Sequence, residues 1–200
     1  MHDPTAFTDR ENWTGGFYEL SLEIGDRDDD RLHRVLTALW RAAAIVGCYA
    51  GKDREPADQT AVPLTVASLR EFGHLHGIAH PPVGGPVVCG CYSGVDGENP
   101  DWLTLYFPLG ALARVERRIG SFPFGPDGGP ESLRWRAALD AWLAGVADEV
   151  FHDVDFRLGL IGFELEYTTA ADLDGVVPDQ RWSGYLLPAD GRLGYTPANK

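Results

Sequence analysis

The stretch Phe17-Tyr18-Glu19-Leu20-Ser21-Leu22-Glu23-Ile24 alternates between apolar and polar side chains. Successive side chains of a β-strand point to opposite faces of a sheet, so this period of two predicts a strand. The polar positions are Glu19, Ser21 and Glu23. We predict that the apolar side of the strand faces a core and that the polar side faces solvent.

Three later stretches carry apolar residues at helical spacing. The first follows the acidic run 28–30, whose carboxylates suit the amino-terminal turn of a helix. Its apolar positions are Leu32, Val35, Leu36, Leu39 and Trp40. A short helix is predicted between Thr65, which caps its start, and Gly73, which ends it. The longest pattern covers residues 135–150 and predicts a helix with a large buried face.

Short runs of β-branched and aromatic residues predict further strands. They cover residues 45–50, 87–93, 102–107, 156–167, 182–187 and 193–195. The segment 74–85, rich in glycine and proline, is interpreted as a loop. Short turns between neighbouring strands favour antiparallel pairing. We therefore predict a single domain over residues 1–200 with an α+β fold. Its sheet is mixed or mainly antiparallel, has about six strands, and is covered by two longer helices and one or two short ones. Residues 1–12 are expected to be poorly ordered.

One short phrase occurs twice. Gly47-Cys48-Tyr49-Ala50-Gly51 returns as Gly90-Cys91-Tyr92-Ser93-Gly94, each time after a β-branched run. The similarity covers only about ten residues, whereas stacked repeat proteins need several longer units to share a core. We predict that the two copies are strands in equivalent places of one sheet.

Composition limits the classes of partner. The 200 residues carry a formal net charge of −13, which disfavours nucleic acids and anionic membranes and favours cations or a basic protein.

The longest strongly apolar run, 158–165, is too short to span a bilayer, and the amino terminus lacks a signal-peptide pattern. We expect a cytoplasmic protein with three reduced, buried cysteines. The tryptophan-rich face of the longest helix either completes the core or forms a homodimer interface, and the sequence does not distinguish the two.

Histidine and cysteine are concentrated in one part of the chain. A zinc site is one hypothesis for this set, since imidazole and thiolate are preferred zinc ligands: His74, His76, His80, Cys89 and Cys91. The alternative is buried thiols beside solvated loop histidines, because the spacing does not match paired zinc motifs. The sequence around Ser93 lacks the glycines of a nucleophile elbow, and no other catalytic motif is recognisable.

Two functional hypotheses remain. In the first, a non-enzymatic protein, in the manner of an inhibitor or immunity protein, binds a basic partner through sheet carboxylates: Glu19, Glu23, Glu164 and Glu166. The alternative for these four is an ordinary solvated face with Arg157 and Arg181 as counterions. In the second, a small-molecule or metal-binding enzyme uses the three histidines with a pocket of Tyr49, Tyr92 and Trp102.

Overall fold

The computed structural model describes residues 3–94, 101–120, 129–166 and 168–200. Eight strands in these ranges form one sheet: β1 (Phe17–Gly25), β2 (Val46–Tyr49), β3 (His74–Ala79), β4 (Val87–Gly94), β5 (Asp101–Pro108), β6 (Leu158–Phe163), β7 (Gly184–Ala189) and β8 (Arg192–Thr196). The helices are α1 (Asp29–Ala42), α2 (Val66–Phe72), α3 (Leu109–Val115), α4 (Gly129–Asp153) and α5 (Ala170–Leu173). Short 3₁₀ turns occur at Arg10–Trp13, Pro56–Asp58 and Arg117–Gly120.

The first strand lies in the interior of the sheet. The strand order is β2-β3-β4-β5-β1-β6-β7-β8, and every neighbouring pair is antiparallel. Strand β1 therefore pairs with β5 on one side and with β6 on the other. The two copies of the Gly-Cys-Tyr phrase lie in β2 and β4, which flank β3 on either side.

One face of the sheet forms the main core with the long helices. The even-numbered residues of β1 are buried in one apolar cluster with the stripes of α1 and α4. Asp28 caps α1 by accepting hydrogen bonds from the backbone N–H groups of Asp30 and Arg31, and Thr65 caps α2 by accepting one from Ser68. These caps satisfy amides that lack intrahelical partners, so both helix starts agree with the sequence prediction.

Three buried polar side chains lie inside this core. The hydroxyl of Tyr18 donates a hydrogen bond to Asp140 of α4, and both residues are almost fully buried. Arg136, one helical turn earlier, is 2% exposed and donates a hydrogen bond of 2.8 Å to the backbone oxygen of Lys200. Burial raises the pKa of Asp140 to about 6, against the opposing effects of the Tyr18 hydrogen bond and the Arg136 charge.

The predicted α+β class is confirmed, and several details are corrected. The sheet has eight strands rather than about six, and β3 lies inside the segment interpreted as a loop. Strand β6 ends at Phe163 instead of continuing to residue 167, because Glu164 turns the chain with a φ of 40°. Within residues 3–12, Phe7 is 1% exposed, and its backbone oxygen accepts a hydrogen bond from the indole N–H of Trp13. Across the described ranges, no helix has both the length and the apolar character needed to cross a bilayer.

Candidate functional site

The face of the sheet opposite α1 and α4 brings the candidate residues together. Directly opposed residues of neighbouring strands point to the same face, so the register defines rows of side chains. One row comprises Tyr49, His76, Gly90, Tyr106 and Glu19. The next comprises His74, Tyr92, Thr104 and Ser21. The second face therefore carries members of both the proposed partner-binding set and the proposed pocket.

The prediction that the polar face of β1 is exposed to solvent is wrong. Glu19 is 5% exposed and Glu23 is 2% exposed. Glu19 accepts hydrogen bonds from the Tyr92 hydroxyl (3.3 Å) and the backbone N–H of Leu165 (3.2 Å). Glu23 accepts one of 2.6 Å from the backbone N–H of Ala170. A buried carboxylate needs such donors, and the chain after β6 supplies most of them.

We call residues 164–166 and 168–179 the acidic strap. Its backbone N–H groups at Leu165 and Ala170 bind the two buried carboxylates of β1. Its apolar side chains pack on a cluster that is separate from the main core: Trp102, Leu158, Leu160, Leu165, Ala170, Leu173, Tyr185 and Leu187. The strap is therefore attached to the second face of the sheet by polar and apolar contacts together.

The outer side of the strap is strongly acidic. It displays five exposed carboxylates: Glu164, Glu166, Asp172, Asp174 and Asp179. No lysine or arginine occurs between residues 164 and 179. Among the residues that the structure describes, none of the five is in an ion pair.

The two proposed counterions have other partners. Arg157 forms an ion pair of 3.0 Å with Asp26. Arg181 donates hydrogen bonds to the backbone oxygens of Pro178, Asp179 and Pro197. The guanidinium groups therefore stabilise turns, and the interpretation of Arg157 and Arg181 as counterions of the glutamates is not supported by these contacts.

Large apolar side chains are exposed at the carboxyl end of the strap. Val176 is 71% exposed and Trp182 is 41% exposed. The chain between them is tied down, because Arg181 binds the three backbone oxygens named above and Asn199 donates a hydrogen bond of 2.7 Å to the oxygen of Asp179. Tryptophan is enriched among the residues that contribute most to binding at protein–protein interfaces.

The repeated phrase places a tyrosine opposite each histidine of β3. Tyr49 of β2 is opposite His76, and Tyr92 of β4 is opposite His74. The ring of Tyr106 crosses β4 above Gly90, where a β-carbon would collide with it, and its hydroxyl lies 3.1 Å from Nδ1 of His74. Glycine at position 90 therefore permits the contact between Tyr106 and His74.

Burial determines the protonation of this end of the face. Desolvation lowers the pKa of His76 to about 4, with further lowering by the charges of His74 and Lys52. Partial burial, followed by the charge of Lys52, lowers the pKa of His74. In contrast, burial raises the pKa of Glu19. Both imidazoles are therefore neutral at pH 7.

The proposed zinc ligands are divided between the two faces of the sheet. Cys89 and Cys91 are opposite Gly77 and Leu75, so their thiols point into the main core, away from His74 and His76. His80 is exposed just after β3. In the described ranges, no three His, Cys, Asp or Glu side chains are grouped to hold a metal ion. All three thiols are unpaired and buried, and burial raises the pKa of Cys48 to about 11.

The proposed pocket residues share the second face of the sheet, but they do not line one pocket. Tyr49 and Tyr92 flank the histidines, whereas Trp102 is buried under the strap in the second cluster. Sequence reasoning did not identify the strap, although the absence of lysine and arginine from 164–179 was a readable signal. It also did not single out Lys52 and Trp13, which lie beside the histidines.

No protein-family model, curated protein or solved structure matches the chain.

Proposed function

We propose that this protein is a non-enzymatic binding protein that recognises a basic protein partner through the acidic strap, in the manner of an inhibitor or immunity protein. One observation carries this proposal: the strap displays five carboxylates and no cation, while the buried Glu19 and Glu23 hold its backbone in place. Glu164 and Glu166 remain contact residues in this proposal. Glu19 and Glu23 support the contact surface from below.

Electrostatics supports this choice of partner. The five strap carboxylates carry charge of one sign, and none of them is in an ion pair among the described residues. A surface rich in lysine and arginine would be attracted to them over about a Debye length, roughly 8 Å at physiological ionic strength. Such complementarity mainly increases the association rate and selects the partner.

The exposed apolar residues supply the other part of an interface. Charge alone gives a weak and salt-sensitive complex, whereas a buried aromatic anchor contributes most to slow dissociation. Trp182 is exposed, and the turn before it is fixed by the hydrogen bonds of Arg181. A fixed anchor loses less conformational entropy on binding than a mobile one. The partner therefore has an apolar pocket bordered by basic side chains.

The decisive experiment compares two charge reversals of equal size. Tagged wild-type protein, the double variant E164K/E166K and the control D148K/E149K are used to capture proteins from the native cell extract at low salt. Asp148 and Glu149 are exposed on α4, outside the strap, so the control changes the net charge by the same amount. The captured protein is then purified, and its association rate with each variant is measured between about 50 mM and 200 mM salt.

We expect wild type and the α4 control to bind one basic protein, with an association rate that falls as salt rises. The strap variant is expected to lose at least about tenfold in association rate at low salt. An equal loss of association rate in both double variants would mean that net charge alone causes the effect, and this result would overturn the proposal. A partner that is acidic, or whose binding is insensitive to salt, would also overturn it.

A further inference from the structure

A separate groove lies at the histidine end of the sheet, away from the strap. It is open to solvent, has a volume of about 500 Å³, and is lined by Phe7, Thr8, Arg10, Trp13, Lys52 and Asp53. Its walls come from the ordered amino-terminal segment and from the loop after β2. This volume is in the range of small-ligand pockets.

The aromatic wall of the groove is held in a fixed orientation. The indole N–H of Trp13 donates a hydrogen bond of 2.8 Å to the backbone oxygen of Phe7. The Trp13 ring meets the Phe7 ring edge to face, and it meets the ring of His76 in the same way at 5.3 Å between centroids. The amides of Phe7 and Thr8 are already bonded to Glu55. The wall is therefore preorganised without a ligand.

Two of the six residues that line this groove are cationic and one is acidic, although the whole chain carries a net charge of −13. Lys52 places its ammonium 5.0 Å from the centre of the Trp13 ring, and Arg10 lines the same groove. In the described part of the chain, neither cation is in an ion pair. Asp53 is the single acidic residue of the lining. Two cations held at one concave surface favour an anion there.

The neighbouring imidazoles add an independent observation. His76 is 5% exposed, and its Nδ1 atom is buried without a hydrogen-bond partner in the described structure. Lys52 is close enough to His74 and His76 for its charge to disfavour protonation of both rings. Unpaired buried polar atoms are uncommon in native proteins, and a bound water or ion is one explanation for such an atom.

We propose that this groove binds a small organic anion, with a phosphate or carboxylate group between Lys52 and Arg10 and an apolar part against Trp13. The anion supplies counter-charge to Lys52 and Arg10, neither of which is in an ion pair in the described part of the chain. The apolar lining distinguishes an organic anion from an inorganic one, because Phe7 and Trp13 gain from covering a hydrocarbon surface.

The test uses phenyl phosphate as the probe and inorganic phosphate as its comparison. Binding is measured by titration calorimetry and by the NMR signal of the Trp13 indole N–H, which is assigned through its absence in Trp13→Phe. The variants are Lys52→Gln and Arg10→Gln, and the matched control is Arg54→Gln, an exposed arginine outside the groove. Thermal unfolding of each variant verifies that it is folded.

We expect wild type to bind phenyl phosphate with a Kd in the millimolar range or tighter, to shift the Trp13 signal, and to bind inorganic phosphate more weakly. Lys52→Gln and Arg10→Gln should each weaken binding about tenfold, and Arg54→Gln should leave it unchanged. No binding by wild type up to about 10 mM would overturn the proposal. An equal loss in Arg54→Gln would also overturn it, and equal affinity for both phosphates would overturn the organic part of the assignment.

Discussion

The carboxylate of Glu23, buried in the middle of the sheet, accepts a hydrogen bond of 2.6 Å from the backbone N–H of Ala170, at the start of α5. Glu19, four residues earlier on the same face of β1, accepts a hydrogen bond from the backbone N–H of Leu165. These two bonds join the centre of the sheet to the strap, so the position of the exposed carboxylates depends on carboxylates that are not exposed.

Glu23→Ala should loosen the strap. The substitution leaves the N–H of Ala170 without its acceptor, which we expect to cost about 1–3 kcal/mol in the free energy of unfolding. Hydrogen exchange at residues 165, 166 and 168–173 should become faster, and Glu23→Gln, which keeps an acceptor, should have a smaller effect. Glu71→Ala on the exposed surface of α2 is the control and should stay within about 0.5 kcal/mol of wild type. Unchanged exchange in Glu23→Ala would contradict the anchoring of the strap by this residue.

Gly90→Ala and Gly145→Ala should have opposite effects on stability. A β-carbon at position 90 collides with the Tyr106 ring, so we expect a loss of about 1–3 kcal/mol and a disturbed contact between Tyr106 and His74. A β-carbon at position 145, inside α4, meets nothing within 4 Å, and alanine there should stabilise by about 0.5–1 kcal/mol. Urea unfolding measures both. A stabilised Gly90→Ala variant would show that Tyr106 does not lean across β4 as described.

Asp140 should make the fold less stable as the pH rises from about 4 to about 6. The folded pKa is about 6 and the ordinary value is 3.8, so the unfolded chain binds fewer protons in this window. The free energy of unfolding therefore falls there by up to about 1.4 kcal/mol per pH unit. Asp140→Asn removes this contribution and still offers Tyr18 an acceptor. Urea unfolding at several pH values should show a flatter profile for the variant; identical profiles would exclude a raised pKa.

Trp182→Ala should separate binding from folding. The side chain is 41% exposed, so its removal should change the free energy of unfolding by less than about 1 kcal/mol. If Trp182 anchors the partner, the same change should increase the dissociation rate at least about tenfold, whereas charge reversal in the strap acts mainly on association. Surface-based kinetics with the captured partner distinguish the two effects. A variant that dissociates at the wild-type rate would remove Trp182 from the interface.

Local patterns predicted most of the helices and several strands. The acidic run before α1, the Thr65 cap and the apolar spacing of α4 are all contained in short segments of sequence, so their structures followed directly. The sequence did not predict strand β3, because its glycine and the nearby prolines are typical of a loop. Its partner strands are β2, which is distant in sequence, and β4, which follows the same glycine- and proline-rich segment.

The same local patterns could not predict whether the polar face of β1 is exposed to solvent. Alternation shows that Glu19 and Glu23 share a face, yet it does not show what covers them. The cover comes from Leu165 and Ala170, about 145 residues later in the chain, and their backbone N–H groups carry no signature in the sequence. Similarly, the proximity of Lys52 and Trp13 to the histidines is a product of tertiary packing.

The interior position of β1 also bears on how the chain folds during synthesis. Strand β1 is synthesised before its two partners, β5 and β6, which start only at Asp101 and Leu158. Until both have been translated, at least one edge of a nine-residue strand is unpaired and available to other nascent chains. We therefore expect folding to be slow, because β1 pairs with two strands that are distant from it in sequence.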